Sequence, residues 1–483
     1  MNKDSLYKHN SLFNRRDFLR LTGVGCGAMT LSSAANTILH QKLLGAMASN
    51  AVISGPDDYK ALICIFLYGG NDGHNCFMPF SNYEELYNGT NGRNEVFIPG
   101  EQLNVTQSGD FAFHPELPYF RDAFDQGIMA PVSGVGTLYE PVADRNAFID
   151  NGIIKPPQLF SHNDQQVQWQ TSLPGQESDS GWGGRLGDVA QVFNTEARVS
   201  INVSLGRANV FTVGDRSTRL ELNGGAVSLQ TSGPNGLLDA AQEIRNLDKP
   251  HTFRKEFADI MSRGVESEAL LGGILGNNNN GGAGSSLLDG NAGGRPSDIL
   301  HQQLANALRL IEARDILGVK RQIFFVEHIN FDTHGSQIAG HATQLEILNN
   351  AMSLLASELE ALGLTDKVTT FTATEFGRSF LSNMDGTDHG WGNINFVFGG
   401  AVNGGEIHGT LPSYELGGMD DASNPNDSNP MESGSNGRWI PSLSTDQYAS
   451  TFARWFGVPD EDISTIVPNI NRFDSNDIGF MCL

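Results

Sequence analysis

Five short stretches of this chain carry the residue types that hold ions, move protons or attack esters. Asp72, in Tyr68-Gly69-Gly70-Asn71-Asp72-Gly73, offers a carboxylate directly after an apolar run, where it can serve as an oxygen ligand or as a loop cap. Phe331-Asp332-Thr333-His334-Gly335 sets a carboxylate and an imidazole two residues apart, and in an irregular loop both can turn toward one ion. Thr374-Glu375-Phe376-Gly377-Arg378 adds a carboxylate and a guanidinium, and Gly386-Thr387-Asp388-His389-Gly390 a second carboxylate and imidazole pair. Arg378 has the forked geometry that suits an oxyanion. Finally, Ser161-His162 opens a polar stretch running through Trp169. If that stretch is helical, Ser161 sits at the positive end of its dipole, a position that serves a nucleophilic hydroxyl and equally an ordinary N-cap.

These stretches matter only if the fold brings them together, and the apolar pattern says how it would. Ala61 to Leu67 is a continuous apolar run, as expected of a strand buried on both faces. Similar runs occur at Ile128 to Val135, Ile323 to Val326, Val368 to Thr374 and Ile394 to Phe398. Between the third and fourth, His341 to Leu362 places Leu345, Leu348, Met352, Leu355, Leu359 and Leu362 on one helical face, with Gly363 as C-cap. Strand, helix, strand predicts an α/β fold with a doubly wound, mostly parallel sheet and loop insertions, in which ligands gather at the carboxyl ends of the strands. Two stretches, 272–297 and 417–437, are rich in Gly, Asn, Asp and Ser and are expected as mobile surface insertions.

The first residues predict export. Arg15-Arg16 precede Phe18-Leu19, a weakly apolar run follows from Leu21 to about Leu44, and Ala46-Met47-Ala48 supplies a small-x-small cleavage pattern. Residues 1–48 therefore read as a twin-arginine signal peptide, and 49–483 as one α/β domain with no transmembrane anchor. The twin-arginine translocase is the implied partner during export, and the destination periplasmic or secreted. Removing six Lys/Arg and two Asp/Glu with the leader moves the formal charge from −24 to −28, which argues against nucleic acid as a partner. Cys64, Cys76 and Cys482 then remain, an odd number that permits at most one disulfide.

Taken in order, the arginine leader, Leu-Tyr-Gly-Gly-Asn-Asp-Gly at 67–73, Phe-His-Pro-Glu-Leu at 113–117, Ser-His at 161–162, Gly-Trp-Gly-Gly-Arg at 181–185, Phe-Asp-Thr-His at 331–334, Thr-Glu-Phe-Gly-Arg at 374–378 and Gly-Thr-Asp-His-Gly at 386–390 resemble the Tat-exported family called domain of unknown function 1501. That family is regarded as a distant relative of the alkaline phosphatase and sulfatase superfamily. The resemblance implies Ser161 as nucleophile at a helix start; the side chains collected at the predicted strand ends then make His162 or His389 the expected proton carrier and Arg378 the expected anion holder. The resemblance also implies Asp72, Asp332, His334, Glu375 and His389 as metal ligands, and Asp388, beside His389, offers a further carboxylate to the same ion. Phe376 stands where the superfamily has an imidazole, so one oxygen-rich ion (calcium, magnesium or manganese) suits Asp72, Glu375 and Asp388 better than zinc.

The function this implies is a periplasmic metal-dependent hydrolase of a phosphate or sulfate ester, with a small molecule or glycan ester as substrate. The competing expectation is a non-catalytic binding or assembly protein of the cell envelope that keeps the fold.

Overall fold

Each apolar run expected as a strand is one in the computed structural model, which describes residues 58–89, 92–150, 153–222, 267, 269–276, 282–424 and 435–483. The twin-arginine leader and the cleavage motif lie outside the described residues. The main sheet comprises β1 (Lys60–Leu67), β2 (Met129–Gly136), β3 (Asn202–Ser204), β4 (Leu220–Glu221), β5 (Arg321–His328), β6 (Val368–Ala373), β7 (Asn393–Phe398), β8 (His408–Gly409) and β9 (Leu443–Ser444). Their order is β8-β2-β7-β6-β1-β5-β3-β4, with β9 also pairing β2. β1 runs parallel to β5 and β6, with Ala61 opposite Gln322 on one side and Val368 on the other.

β7 alone is reversed, antiparallel to both β6 and β2. This has a consequence for the site, because the segment before β7 lies at the same rim as the segments after β1, β5 and β6.

Helices cover both faces: α1 (Pro118–Asp125), α2 (His162–Thr171), α3 (Trp182–Ala190), α4 (Ile299–Glu312), α5 (Gln337–Ala361) and α6 (Thr445–Phe456). The alternation of β1 divides the core. Ala61, Ile63, Ile65 and Leu67 pack with α1, α4 and α5 through Phe120, Leu304, Leu308, Leu348 and Leu355. Leu62, Cys64 and Phe66 meet Trp169, Trp182, Tyr448 and Phe452 of α2, α3 and α6 on the other face. A strand apolar at every position is thus buried twice over, as a doubly wound sheet requires. The long helix begins at Gln337, four residues before the periodic Leu pattern suggested, since Gln337 is buried for its polar amide rather than for apolar area.

Of the stretches expected as mobile surface, 272–297 supplies Leu275, Ala283 and Leu287 to the core, and Glu358 of α5 accepts the Ser286 N–H. Residues 277–281 and 425–434 lie outside the described residues. Cys64, Cys76 and Cys482 are all unbridged. No described helix is long and apolar enough to cross a membrane.

Candidate functional site

Four segments bring titratable side chains to the carboxyl-end rim of the sheet: the loop after β5 (Asp332, His334), the turn after β6 (Glu375), the hairpin before β7 (Arg378 and His389) and the start of α2 (His162). The hairpin pairs strand residues 378–382 with 387–389 and sets Arg378 opposite His389.

The first imidazole is fixed by its distal side. His162 Nδ1 lies 2.8 Å from Glu375 Oε1, and the same oxygen accepts the Gly69 N–H at 2.9 Å and the Gln166 amide at 3.0 Å. Gln166 stands one turn after His162 on α2, so both reach one acceptor. A carboxylate can only accept, so Nδ1 carries the proton and Nε2 is turned to Asp332. His162 Nε2 is buried with no hydrogen-bond partner, 3.4 Å from Asp332 Oδ2.

His389 is held in the same sense. Its Nδ1 donates to the Phe160 carbonyl at 2.6 Å, again an acceptor-only partner, leaving Nε2 3.5 Å from Asp332 Oδ1 and 2.9 Å from His334 Nε2. His334 Nε2 is itself 3.1 Å from Asp332 Oδ1. Ligand atoms of His162, Asp332 and His389 all lie within 4.8 Å of one another, the one such three-donor group among the described residues. Two imidazole nitrogens and a carboxylate aimed at one point, each imidazole oriented by a hydrogen bond on its far nitrogen, fit a divalent metal ion. Imidazole donors suit zinc better than calcium, magnesium or manganese.

The charges around the group make metal binding compete with a proton on His162. Burial works against a charged His162, yet Asp332 and Glu375 on its two sides more than offset it and raise its pKa to about 9. Burial would likewise raise Asp332, but His162, His389 and Arg378 hold it well below the usual carboxylate range. His334 is lowered, by burial and by the Arg378 charge.

Several candidate residues stand elsewhere. Asp72 is fully buried behind the rim, ion-paired with Arg93 and hydrogen-bonded by Gln337 Nε2 at 2.6 Å. An internal guanidinium already neutralises it. The three carboxylates Asp72, Glu375 and Asp388 therefore do not assemble an oxygen-rich site: Glu375 is taken up by its three donors, and Asp388 Oδ1 accepts from Asn383 and lies 3.6 Å from His334 Nδ1. Arg378 is buried and directs its donors into the protein, to Asp332 Oδ1 at 3.0 Å, the Gly69 carbonyl at 3.2 Å and Thr387. It pins the Asp332 loop instead of presenting a fork to solvent. Ser161 is the N-cap residue of α2, flanked by Phe160 and His162, and its hydroxyl donates to Asp164 Oδ2 at 2.5 Å.

Sequence reasoning missed Asp164, Gln166, Gln337 and Arg93. For the first two a signal existed, since positions three and four residues after Ser161 and His162 share their helix face. Nothing local links Arg93 to Asp72. The Gly-Trp-Gly-Gly-Arg stretch has a structural use: Arg185 on α3 donates to the carbonyls of Thr171, Ser180 and Ile466, tying the end of α2 to its neighbours.

Among solved structures, Ps i-CgsB in complex with k-i-k-neocarrahexaose is similar to this chain at 10% identity and a TM-score of 0.34, over 87% of this chain and 77% of that one. PsFucS1 sulfatase from Pseudoalteromonas sp. is similar at 10% identity and a TM-score of 0.32, over 87% and 72%. Comparison with curated protein sequences gave no match. The family described as "Protein of unknown function (DUF1501)" matches residues 59–429, and the chain belongs to it.

Proposed function

We infer that this protein is a metal-dependent hydrolase of a phosphate or sulfate ester, acting after export in the periplasm or outside the cell. One observation carries the reading: His162 and His389 both spend Nδ1 on fixed acceptors and turn Nε2 toward Asp332. A bound divalent ion there would supply Lewis-acid stabilisation of an ester's anionic oxygens.

The chain's own groups then have defined work. His162, Asp332 and His389 would hold the ion, while Glu375, the Phe160 carbonyl and Arg378 position those three. Ser161 is the nucleophile, and Asp164, 2.5 Å from its hydroxyl, accepts the proton as Ser161 attacks. The first N–H groups of α2 favour negative charge beside Ser161. His334, the most exposed imidazole of the group, delivers a proton to the departing alcohol oxygen as the ester's O–P or O–S bond breaks, and water then attacks the group held on Ser161, releasing phosphate or sulfate and restoring the hydroxyl. His162 thus serves as an ion holder in this reading, and Arg378 as a positioning residue.

The test is metal content of the purified protein together with turnover of p-nitrophenyl phosphate and p-nitrocatechol sulfate. Stoichiometric metal and turnover of either ester, both lost in Asp332→Ala, support the reading. A metal-free protein inert toward both esters overturns it.

Phe376 favours a second reading, a binding protein that has kept the fold. Its ring stacks on His389 at 4.6 Å and lies 4.9 Å from His162, occupying space a second ion would need. Ser161→Ala separates the two, because a binder keeps its cellular role and an esterase loses it.

A further inference from the structure

A single buried amide stands where two of the segments that carry the site meet. Gln337, the first residue of α5, is fully buried. Its Oε1 lies 3.1 Å from the Thr333 hydroxyl and 2.5 Å from that of Thr387, and its Nε2 lies 2.6 Å from Asp72 Oδ2. Thr333 stands between Asp332 and His334, and Thr387 stands two residues before His389. The loop after β5 and the hairpin before β7 therefore share one acceptor atom.

The partners decide which way the amide faces. Asp72 is ion-paired with Arg93, and a carboxylate only accepts, so it takes the NH2 end of Gln337. The carbonyl end is left for the two hydroxyls, whose protons fill its two lone pairs. Thr387 Oγ1 accepts the Arg378 Nε–H at 3.2 Å, which leaves its own proton for Gln337. Arg378 in turn donates to Asp332 Oδ1 at 3.0 Å. Turning the amide over would set its oxygen against the Asp72 carboxylate, a costly arrangement away from water. Backbone bonds join the same pieces: the Thr387 N–H donates to the Thr333 carbonyl at 3.1 Å, and the N–H groups of Ser336 and Gln337 reach Asp385 of the hairpin turn at 3.0 and 2.9 Å.

We propose that Gln337, oriented by Asp72, is a positioning residue that holds the Asp332 loop in register with the His389 hairpin. Asp72 then acts on the site from behind, through the amide, and not as a ligand. The consequence for metal affinity rests on the reading of His162, Asp332 and His389 as ion holders, whereas the registration of the two segments does not need an ion.

Gln337→Met keeps the side-chain length and removes all three polar contacts. Hydrogen–deuterium exchange in residues 331–336 and 383–390 should speed up roughly tenfold or more, with β1 and α4 unchanged. Zinc affinity of the metal-stripped protein, measured by competition with a chromophoric chelator, should fall by a factor of roughly ten or more. Thr333→Val, which removes one hydroxyl and keeps the shape, should show the same selective exchange on a smaller scale and lower the affinity about fivefold, and Thr333→Ser should restore both. Unchanged exchange in these two segments, or exchange faster to the same extent throughout the chain, would overturn the proposal. In a zinc-binding protein, so would equal affinity before and after Thr333→Val. Selective exchange in a protein that holds no zinc even before substitution sustains the role of Gln337 and counts against the ion-holding reading.

Discussion

A metal-binding imidazole must offer a lone pair, and a protein secures that by giving the other ring nitrogen an acceptor. Glu375 does this for His162 and the Phe160 carbonyl for His389. His389→Ala is accordingly expected to remove bound metal as completely as Asp332→Ala, while Asp388→Asn, whose carboxylate is engaged with Asn383, leaves metal content per chain unchanged. Elemental analysis of the three variants checks this. Beneath them, the Asp72–Arg93 pair is wholly buried, with Asp72 Oδ1 and Arg93 Nε lacking partners. Removing one member strands the other's charge. Arg93→Met should therefore destabilise by about 3–5 kcal/mol, and adding Asp72→Asn should restore part of that, as read by urea denaturation of single and double variants.

At the scale of elements, the loops after β1 and β5 touch so closely that one has no room for a side chain. Gly69 has φ +121, and a Cβ there would stand 2.2 Å from the Asp332 backbone nitrogen. Gly69→Ala must push the Asp332 loop away from His162 and His389. We expect esterase turnover to fall roughly a hundredfold with far-ultraviolet dichroism unchanged, the effect of a misplacement near 1 Å. Unaltered turnover would mean that Asp332 is not part of the reaction centre. At the opposite end of the chain, α6 begins with a capping box in which Ser444 accepts the Gln447 N–H and Gln447 reaches back to the Ser444 N–H. Ser444→Ala should cost about 1 kcal/mol and leave metal binding untouched, which makes it a control for general destabilisation.

Across the whole molecule, buried titratable groups set opposing pH limits. Burial lowers the pKa of His74 and His341 to about 4 and of His114 to about 3. All three fold as neutral rings, so their contribution is fully present above the unfolded value near 6.5 and is lost as pH falls toward 4. Asp446 behaves in the opposite way. Both its oxygens are buried without a well-formed hydrogen bond, and burial raises its pKa to about 7 despite the pull of Ser172. Its contribution is present below the unfolded value near 3.8 and lost as pH rises toward 7. Three imidazoles outweigh one carboxyl between pH 4 and 6.5, so unfolding free energy should climb through that window, by at most about 1.4 kcal/mol per pH unit for each group. Asp446→Asn should raise stability above pH 7 and leave it little changed below pH 4, as urea titrations at a series of pH values would show.

The strands, the long α5 helix and the α/β class were legible in the residues themselves, because burial on two faces or one leaves a local pattern of period. So were the families of side chains that could do chemistry, since Asp332, His334, Glu375 and His389 each follow or precede an apolar run. What local pattern does not encode is strand direction. Only the reversal of β7 carries the segment that precedes it, with His389, to the rim occupied by Asp332 and Glu375. Nor does spacing say which charges are already answered: Arg93 reaches Asp72 across 21 positions and Arg378 reaches Asp332 across 46. Those contacts are decided by packing between distant segments: Arg93 and Gln337 enclose a fully buried Asp72, whereas Arg378 holds only Oδ1 of a partly exposed Asp332 and leaves Oδ2 facing His162.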